Sequence, residues 1–421
     1  MSLWGKLRGA FGGGEQPAEA SKPPKPEELF ATEIEAAIRA RFPKATVKRH
    51  PEVLGFLVDR GQGEQQVYLD NVFRESRDDA PETRRGRIAQ FVASLETPDT
   101  STMSWEEVRP RLVPLLRAPS MFSNMPVTVT REKLPITRPF LPFVIECVGF
   151  DSEHSMAYVT PGMAEAWGVQ APHVFAAATD NARTNFVDDV EPYDPEAPYP
   201  IWFVARNDSY ESSRLAVPQW LASFAGKVKG RPVAIVPRRD LLIVGGDGDE
   251  QCLRRLVNSA MAEFEGAPRR ISPTLYTVDD KSVVVPLKLD PGHPLASDVA
   301  VAHVKAAIAE YETQKDPLQK RLGEDVFVAS CNGLKGDDGQ AFTYAVWSKD
   351  VPTVLPRTDL VMLLMEPGVK GSEVVRVAWE KLVEVVGDCI VEEPDIDPPR
   401  WRTPAWPNDV MISRLRSMQA T

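Results

Sequence analysis

The chain has 421 residues, 43% of them hydrophobic and 26% charged, the composition of an ordinary folded protein of two or three domains. Its net charge of −11, from 49 basic and 60 acidic residues, disfavours non-specific binding to nucleic acid, because phosphates reward basic surfaces. No apolar run approaches the ~20 residues that cross a bilayer, the N-terminal stretch lacks the apolar h-region expected of a signal peptide, and four scattered cysteines without a CxxC pair argue for reduced thiols in a cytoplasmic protein.

Residues 1–26 read as a flexible N-terminal tail and linker. Leu3, Trp4, Leu7 and Phe11 with Lys6 and Arg8 outline a short amphipathic stretch over 1–12, a candidate for peripheral membrane contact. Gly, Pro, Lys and Glu dominate residues 12–26, a linker composition. A first α+β module is predicted over 27–98. Phe30, Ile34, Ala37 and Ile38 mark a helix opened by Pro26 with Glu27 and Glu28 in its first turn. Three short strands come next, at 45–48, 53–58 and 66–69. A second helix starts at Asp79-Ala80-Pro81-Glu82, with Ile88, Phe91, Val92 and Leu95 as its apolar face.

Residues 99–135 read as a connector. Ser104 and Glu107 fit a capping box for one short helix, which Pro110 and Pro114 limit, and 126–135 reads as extended. A central mixed α+β domain is predicted over 136–290. The apolar run 140–150 reads as one long buried strand, paired with 156–159 across a polar turn, and 163–167 and 174–183 read as helices. Residues 184–200 form a loop holding Phe186, Tyr193 and Tyr199 among five acidic residues.

The stretch 201–264 organises the domain. Residues 201–204 read as a strand and 210–225 as a helix that Pro218 breaks or kinks. A hairpin spans 233–236 and 241–244 around Pro237-Arg238-Arg239-Asp240. Then Leu253, Leu256, Val257, Ala260, Met261 and Phe264 form a clean amphipathic stripe. Residues 274–278 and 282–287 close the domain as a hairpin.

A C-terminal module is predicted over 296–392. Asp298 is expected to cap a helix with Val301, Val304, Ile308 and Tyr311 inward. Strands are predicted at 326–330, 341–347 and 360–365. A helix then opens at Ser372 with Val375, Ala378, Trp379, Leu382, Val383 and Val386 on one face. This repeats the helix–three-strand–helix order of the first module. The tail, 393–421, is rich in Pro and Trp. Trp401 and Trp406 are expected to pack on the body or on a partner, ahead of a short helix at 411–418. The fold class is thus α+β, with helix–three-strand–helix modules flanking a central domain.

Phe203-Val204-Ala205-Arg206-Asn207-Asp208-Ser209-Tyr210-Glu211-Ser212-Ser213-Arg214-Leu215 resembles the signature of the bacterial YtpQ-like family of uncharacterised proteins. Residues 233–244 and the helix after them are also similar to that family's pattern. The resemblance spans about 30–288, and the C-terminal unit is an addition. The family has no established activity, cofactor or catalytic residue, so the resemblance implies none here.

The candidate ligand- or partner-binding residues are Arg206, Asp208, Tyr210, Arg214 and Asp240. Tyr210 and Arg214, at i and i+4, share a helix face and with Asp208 make a site for a carboxylate or a peptide main chain. The competing reading is that Arg214 pairs with Asp208 or Glu211 and pins the loop. Asp240 lies in a turn that is basic on an acidic protein, fit for an acidic partner or simply solvated. Gly245-Gly246-Asp247-Gly248-Asp249 leads from strand to helix as phosphate loops do, but its two aspartates repel a phosphate and suit a turn and N-cap. The five histidines share no metal-ligand spacing, and neither HExxH nor GxSxG occurs. No metal, cofactor or catalytic residue is expected. The expected function is that of a non-enzymatic, protein-binding adaptor or chaperone-like protein. The alternative is a small-ligand-binding protein or enzyme with a cleft at the strand-to-helix turn 206–214.

Overall fold

The computed structural model describes residues 25–51, 54–61, 64–96, 100–122, 131–152, 156–186, 190–193, 195–196, 199–204, 210–336, 340–394 and 396–419. The fold is α+β, and the chain divides into two units, Met1–Leu95 and Glu96–Thr421. The amphipathic stretch 1–12 and most of the linker lie outside the described residues.

In the first unit the helix Pro26–Arg41 starts at Pro26, whose missing N–H is an orphan at that position anyway. It buries Phe30, Ala31, Ile34 and Ile38. The strands Thr46–Arg49, Gly55–Asp59 and Glu64–Tyr68 pair antiparallel in chain order. A helix Asp70–Ser76, which the sequence pattern does not announce, precedes Pro81–Ala93. Phe73 from this extra helix packs its ring 5.3 Å from Phe30.

In the second unit the capping box forms as the spacing predicts. The Glu107 carboxylate accepts from Ser104 N at 2.7 Å, while Ser104 Oγ accepts from Glu107 N at 3.4 Å, opening the helix Trp105–Val108. The expected connector is not one throughout, because Leu112–Arg117 is a fully buried strand paired with Val144–Asp151. Pro114 obscures it in sequence. It is tolerated because this strand lies at the sheet's edge, where one missing N–H breaks no ladder. The single long strand expected over 140–150 is instead a hairpin, Thr137–Leu141 against Val144–Asp151. Phe143 takes a φ of 59° at its tip, a left-handed conformation that turns the chain back.

The six-stranded antiparallel sheet carries the organising stretch, in the order Val284–Pro286, Arg270–Val278, Pro232–Arg238, Leu241–Gly246, Trp202–Val204, Val190–Pro192. The helix Glu250–Gly266 covers it with Leu253, Leu256, Val257, Ala260 and Phe264, as the amphipathic stripe predicts. Its N-cap is Asp249, whose carboxylate accepts from Gln251 N at 2.8 Å and Cys252 N at 3.1 Å. Asp247 instead grips Arg231 through both backbone N and Nε at 2.7 Å. Both aspartates are therefore committed to turn and cap. Asp249→Ala is expected to destabilise the protein by about 1 kcal/mol in urea unfolding, and Asp249→Asn by much less, because Asn keeps the accepting oxygen.

The helix expected over 210–225 is not formed. The chain makes two short 3₁₀ turns, Glu211–Ala216 and Leu221–Phe224. Pro218 removes a donor, Gln219 sits at φ 66° between the turns, and the consecutive serines 212 and 213 favour local turns over a helix interior.

Towards the C-terminus the helix Ala296–Leu322 starts earlier than expected, with Leu295 at its N-cap and Asp298 inside its first turn rather than capping it, and is succeeded by more strands than the three predicted. Phe327–Val328, Thr353–Pro356, Arg400–Arg402 and Val391–Glu392 form one sheet. Asn332–Lys335, Ala341–Ser348, Leu360–Leu364 and Val374–Ala378 form another. The expected architectural repeat is thereby overturned. The helix assigned from Ser372 begins only at Trp379, and Val374–Ala378 is a strand with Val375 and Val377 buried and Val374 and Arg376 exposed. Val375, Ala378, Trp379 and Leu382 also fit helical spacing, so periodicity alone misassigns the join. Trp401 packs edge-on against Trp379 at 4.8 Å and Trp406 against Trp347 at 5.2 Å, so the tail folds onto the body.

Candidate functional site

Two neighbourhoods of the second unit concern function, and they differ in access. Of the predicted site residues, Arg206 and Asp208 lie outside the described residues. Tyr210 donates its phenol hydrogen to Asp151 Oδ1 at 2.8 Å, and its ring lies nearly parallel to that of Phe186 at 6.5 Å. Arg214 is 0% exposed, its guanidinium 4.4 Å from the centre of the same Phe186 ring. Tyr210 and Arg214 therefore converge, but not through helical phase. Phe186, at the start of the acidic loop, brings them together. Arg214 stacks on an aromatic face, a favourable use of a planar cation away from water.

Glu211, Ser212 and Ser213 are also buried, at 2%, 0% and 0%. Ser212 N donates to the carbonyl of Arg239 at 3.3 Å, which ties this segment to the hairpin turn carrying Asp240. Asp240 itself stays at the surface, paired with Arg238, which also bonds Glu263 at 3.0 Å. The structure thus joins Tyr210, Arg214 and the Asp240 turn in one region while placing only Asp240 within ready reach of solvent.

The second neighbourhood is the loop 184–200. Val190–Pro192 pairs with Trp202–Val204 as the outermost strand of the six-stranded sheet, and Tyr193 N extends the ladder to Ile201 O at 2.7 Å. This hairpin displays Tyr193 at 77% exposure and Tyr199 at 52%, together with exposed Glu191 and Glu196. The sequence of 184–200 holds five acidic residues and no Lys or Arg; Glu191 and Glu196 are described, while Asp188, Asp189 and Asp194 lie outside the described residues. Beneath it, Trp202 and Trp220 both pack edge-on to Phe224, at 6.0 and 5.0 Å, so the arm stands on a rigid aromatic base.

Among the described residues no group of three or more His, Cys, Asp or Glu side chains is placed to hold a metal ion. Burial pushes the thiols of Cys147 and Cys331 up to about 12, which keeps them protonated and unreactive at neutral pH. Among the described residues no helix is long and apolar enough to cross a membrane. No family model, curated protein or solved structure matches the chain.

Proposed function

We propose that the protein is a non-enzymatic, cytoplasmic adaptor that captures a basic segment of a partner polypeptide on the arm 184–200. The observation that carries this reading is the exposure of two tyrosines on an acidic hairpin at the end of a sheet. Tyrosine loses little conformational freedom on binding and offers both an apolar ring and a polar tip, which suits it to protein interfaces. The acidic side chains around it draw Lys and Arg, and the ring faces then hold them by cation–π attraction. Pro192 and Glu191 occupy the outer strand, one lacking an N–H and the other charged, a composition that discourages addition of a further strand. Recognition is therefore assigned to the side chains of the arm.

The alternative, a small-ligand or enzymatic cleft at 206–214, is disfavoured by the near-complete burial of residues 211–214. Kinship with the YtpQ-like family, on the run 203–215, belongs to the same proposal and adds no activity to it.

The test is calorimetric titration of the full chain with a Lys/Arg-rich peptide and with its Asp/Glu counterpart. Saturable binding of the basic peptide alone is expected, weakened at least about tenfold by Tyr193→Ala with Tyr199→Ala and by raising salt, since the contacts are exposed. Equal binding by wild type and the double variant, or none by wild type, defeats the reading.

A further inference from the structure

A groove of about 580 Å³ lies between the short helix Trp105–Val108 and the helix Ala171–Asn185. That volume falls in the range that takes a small molecule. Neither the arm 184–200 nor the turn 206–214 lines it.

Its chemistry is uneven in a way that selects a ligand. Trp105 provides an aromatic wall, braced by Trp167 at 6.4 Å between ring centres. The longer helix contributes His173, Ala177 and Asp180, spaced four and three apart and so aligned along one face, and its N-cap residue Gln170 lines the groove beside them. Alanines on that face leave the room a larger side chain would fill. Asp180 is held by Arg183 Nη1 at 3.1 Å. Arg109, by contrast, is exposed and makes no ion pair with another described residue. The charge left to attract a ligand is therefore positive, although the protein as a whole is acidic.

We propose that this groove binds a flat aromatic molecule carrying an anionic group. The ring lies on Trp105 and the floor of alanines, where apolar surface is removed from water. The anion meets the guanidinium of Arg109, which offers paired donors to a carboxylate, sulfonate or phosphate. Gln170 and His173 add hydrogen-bonding capacity along the same wall.

The probe is 8-anilinonaphthalene-1-sulfonate, titrated into the full chain by fluorescence and calorimetry. N-phenyl-1-naphthylamine, which keeps the rings and lacks the sulfonate, is the control. The expected result is one saturable site for the sulfonate, with the uncharged analogue binding at least about tenfold more weakly. Arg109→Glu should weaken the sulfonate by a similar factor, and Ala176→Trp, which fills the groove from an exposed position, should abolish binding. Both changes are at the surface, and circular dichroism confirms that the fold is kept. Binding that is unsaturable or absent, that ignores both substitutions, or that is equal for the two probes overturns the proposal.

Discussion

Glu310→Gln is expected to stabilise the protein at about pH 8 by up to roughly 3 kcal/mol and to flatten its dependence on pH between about 5 and 8. Glu310 lies within the helix Ala296–Leu322 and is 1% exposed. Its Oε2 accepts from Ser120 N at 2.8 Å, while Oε1 has no partner among the described residues. Burial pushes this carboxyl up from 4.5 to about 7. The bonds from Ser120 and the nearby Arg270 charge oppose the shift, and Asp397 adds to it. Between those two values the folded protein holds a proton that the unfolded chain has lost. Stability from this group is therefore complete below about pH 4.5 and is lost as pH rises through about 7. Asp397, also raised by burial, acts in the same direction. Glutamine keeps an acceptor for Ser120 N and carries no charge to desolvate. Urea unfolding of the full chain at three pH values measures the effect. A wild-type stability that is flat or rises over this window, or a variant no more stable at about pH 8, contradicts the account.

Arg400→Ala is expected to cost more than about 4 kcal/mol. Arg400 is 0% exposed. Its guanidinium donates to the carbonyls of Ala329 at 2.7 Å, Tyr311 at 3.0 Å and Val354 at 3.3 Å, and to the side-chain oxygen of Gln314. It also sits 5.1 Å from the centre of the Tyr311 ring. One side chain thereby joins the strand Arg400–Arg402 to the long helix and to the strand Thr353–Pro356. Burial draws its pKa down to about 10, so it remains charged at neutral pH. Alanine leaves a cavity and strands acceptors away from water, both penalised. Arg400→Met fills the volume but leaves the acceptors unmet, so it should recover only part of the loss. Arg357→Ala, by contrast, removes a partner of Glu380 at 3.7 Å in an exposed pair and should change stability by less than about 0.5 kcal/mol. Comparable urea midpoints for Arg400→Ala and Arg357→Ala would sink the assignment.

Features encoded within one or two turns of chain are legible in the sequence. The capping box at Ser104 and Glu107, the cap at Asp249 and the stripe from Leu253 to Phe264 each depend on neighbours three or four residues away. The aromatic–acidic arm is also visible, because its tyrosines and acids are adjacent in sequence. Features set by pairing between distant segments are hidden. Pro110 and Pro114 make Leu112–Arg117 look like a connector, though a strand at a sheet edge tolerates such a residue. Val374–Ala378 resembles the first turn of a helix until its pairing with Leu360–Leu364 sets its conformation.

The functional residues divide along the same line. Tyr193 and Tyr199 are readable as part of an aromatic–acidic loop and Arg214 as a candidate contact beside Tyr210, whereas the burial of Arg214, Glu310 and Arg400 is hidden, since nothing in a linear pattern reports it. The groove wall joins Trp105 and Arg109 to residues 168–180, a convergence that no motif spacing records. The amino-acid order by itself determined the α+β class, the caps at Ser104 and Asp249 and the apolar face of the helix Glu250–Gly266, because hydrogen bonds and periodicity over a few residues are enough for them. Only the tertiary structure decided which charges are enclosed and which surfaces stand free. Burial is a property of what the rest of the chain places around a residue, and desolvation acts on that environment rather than on the residue alone.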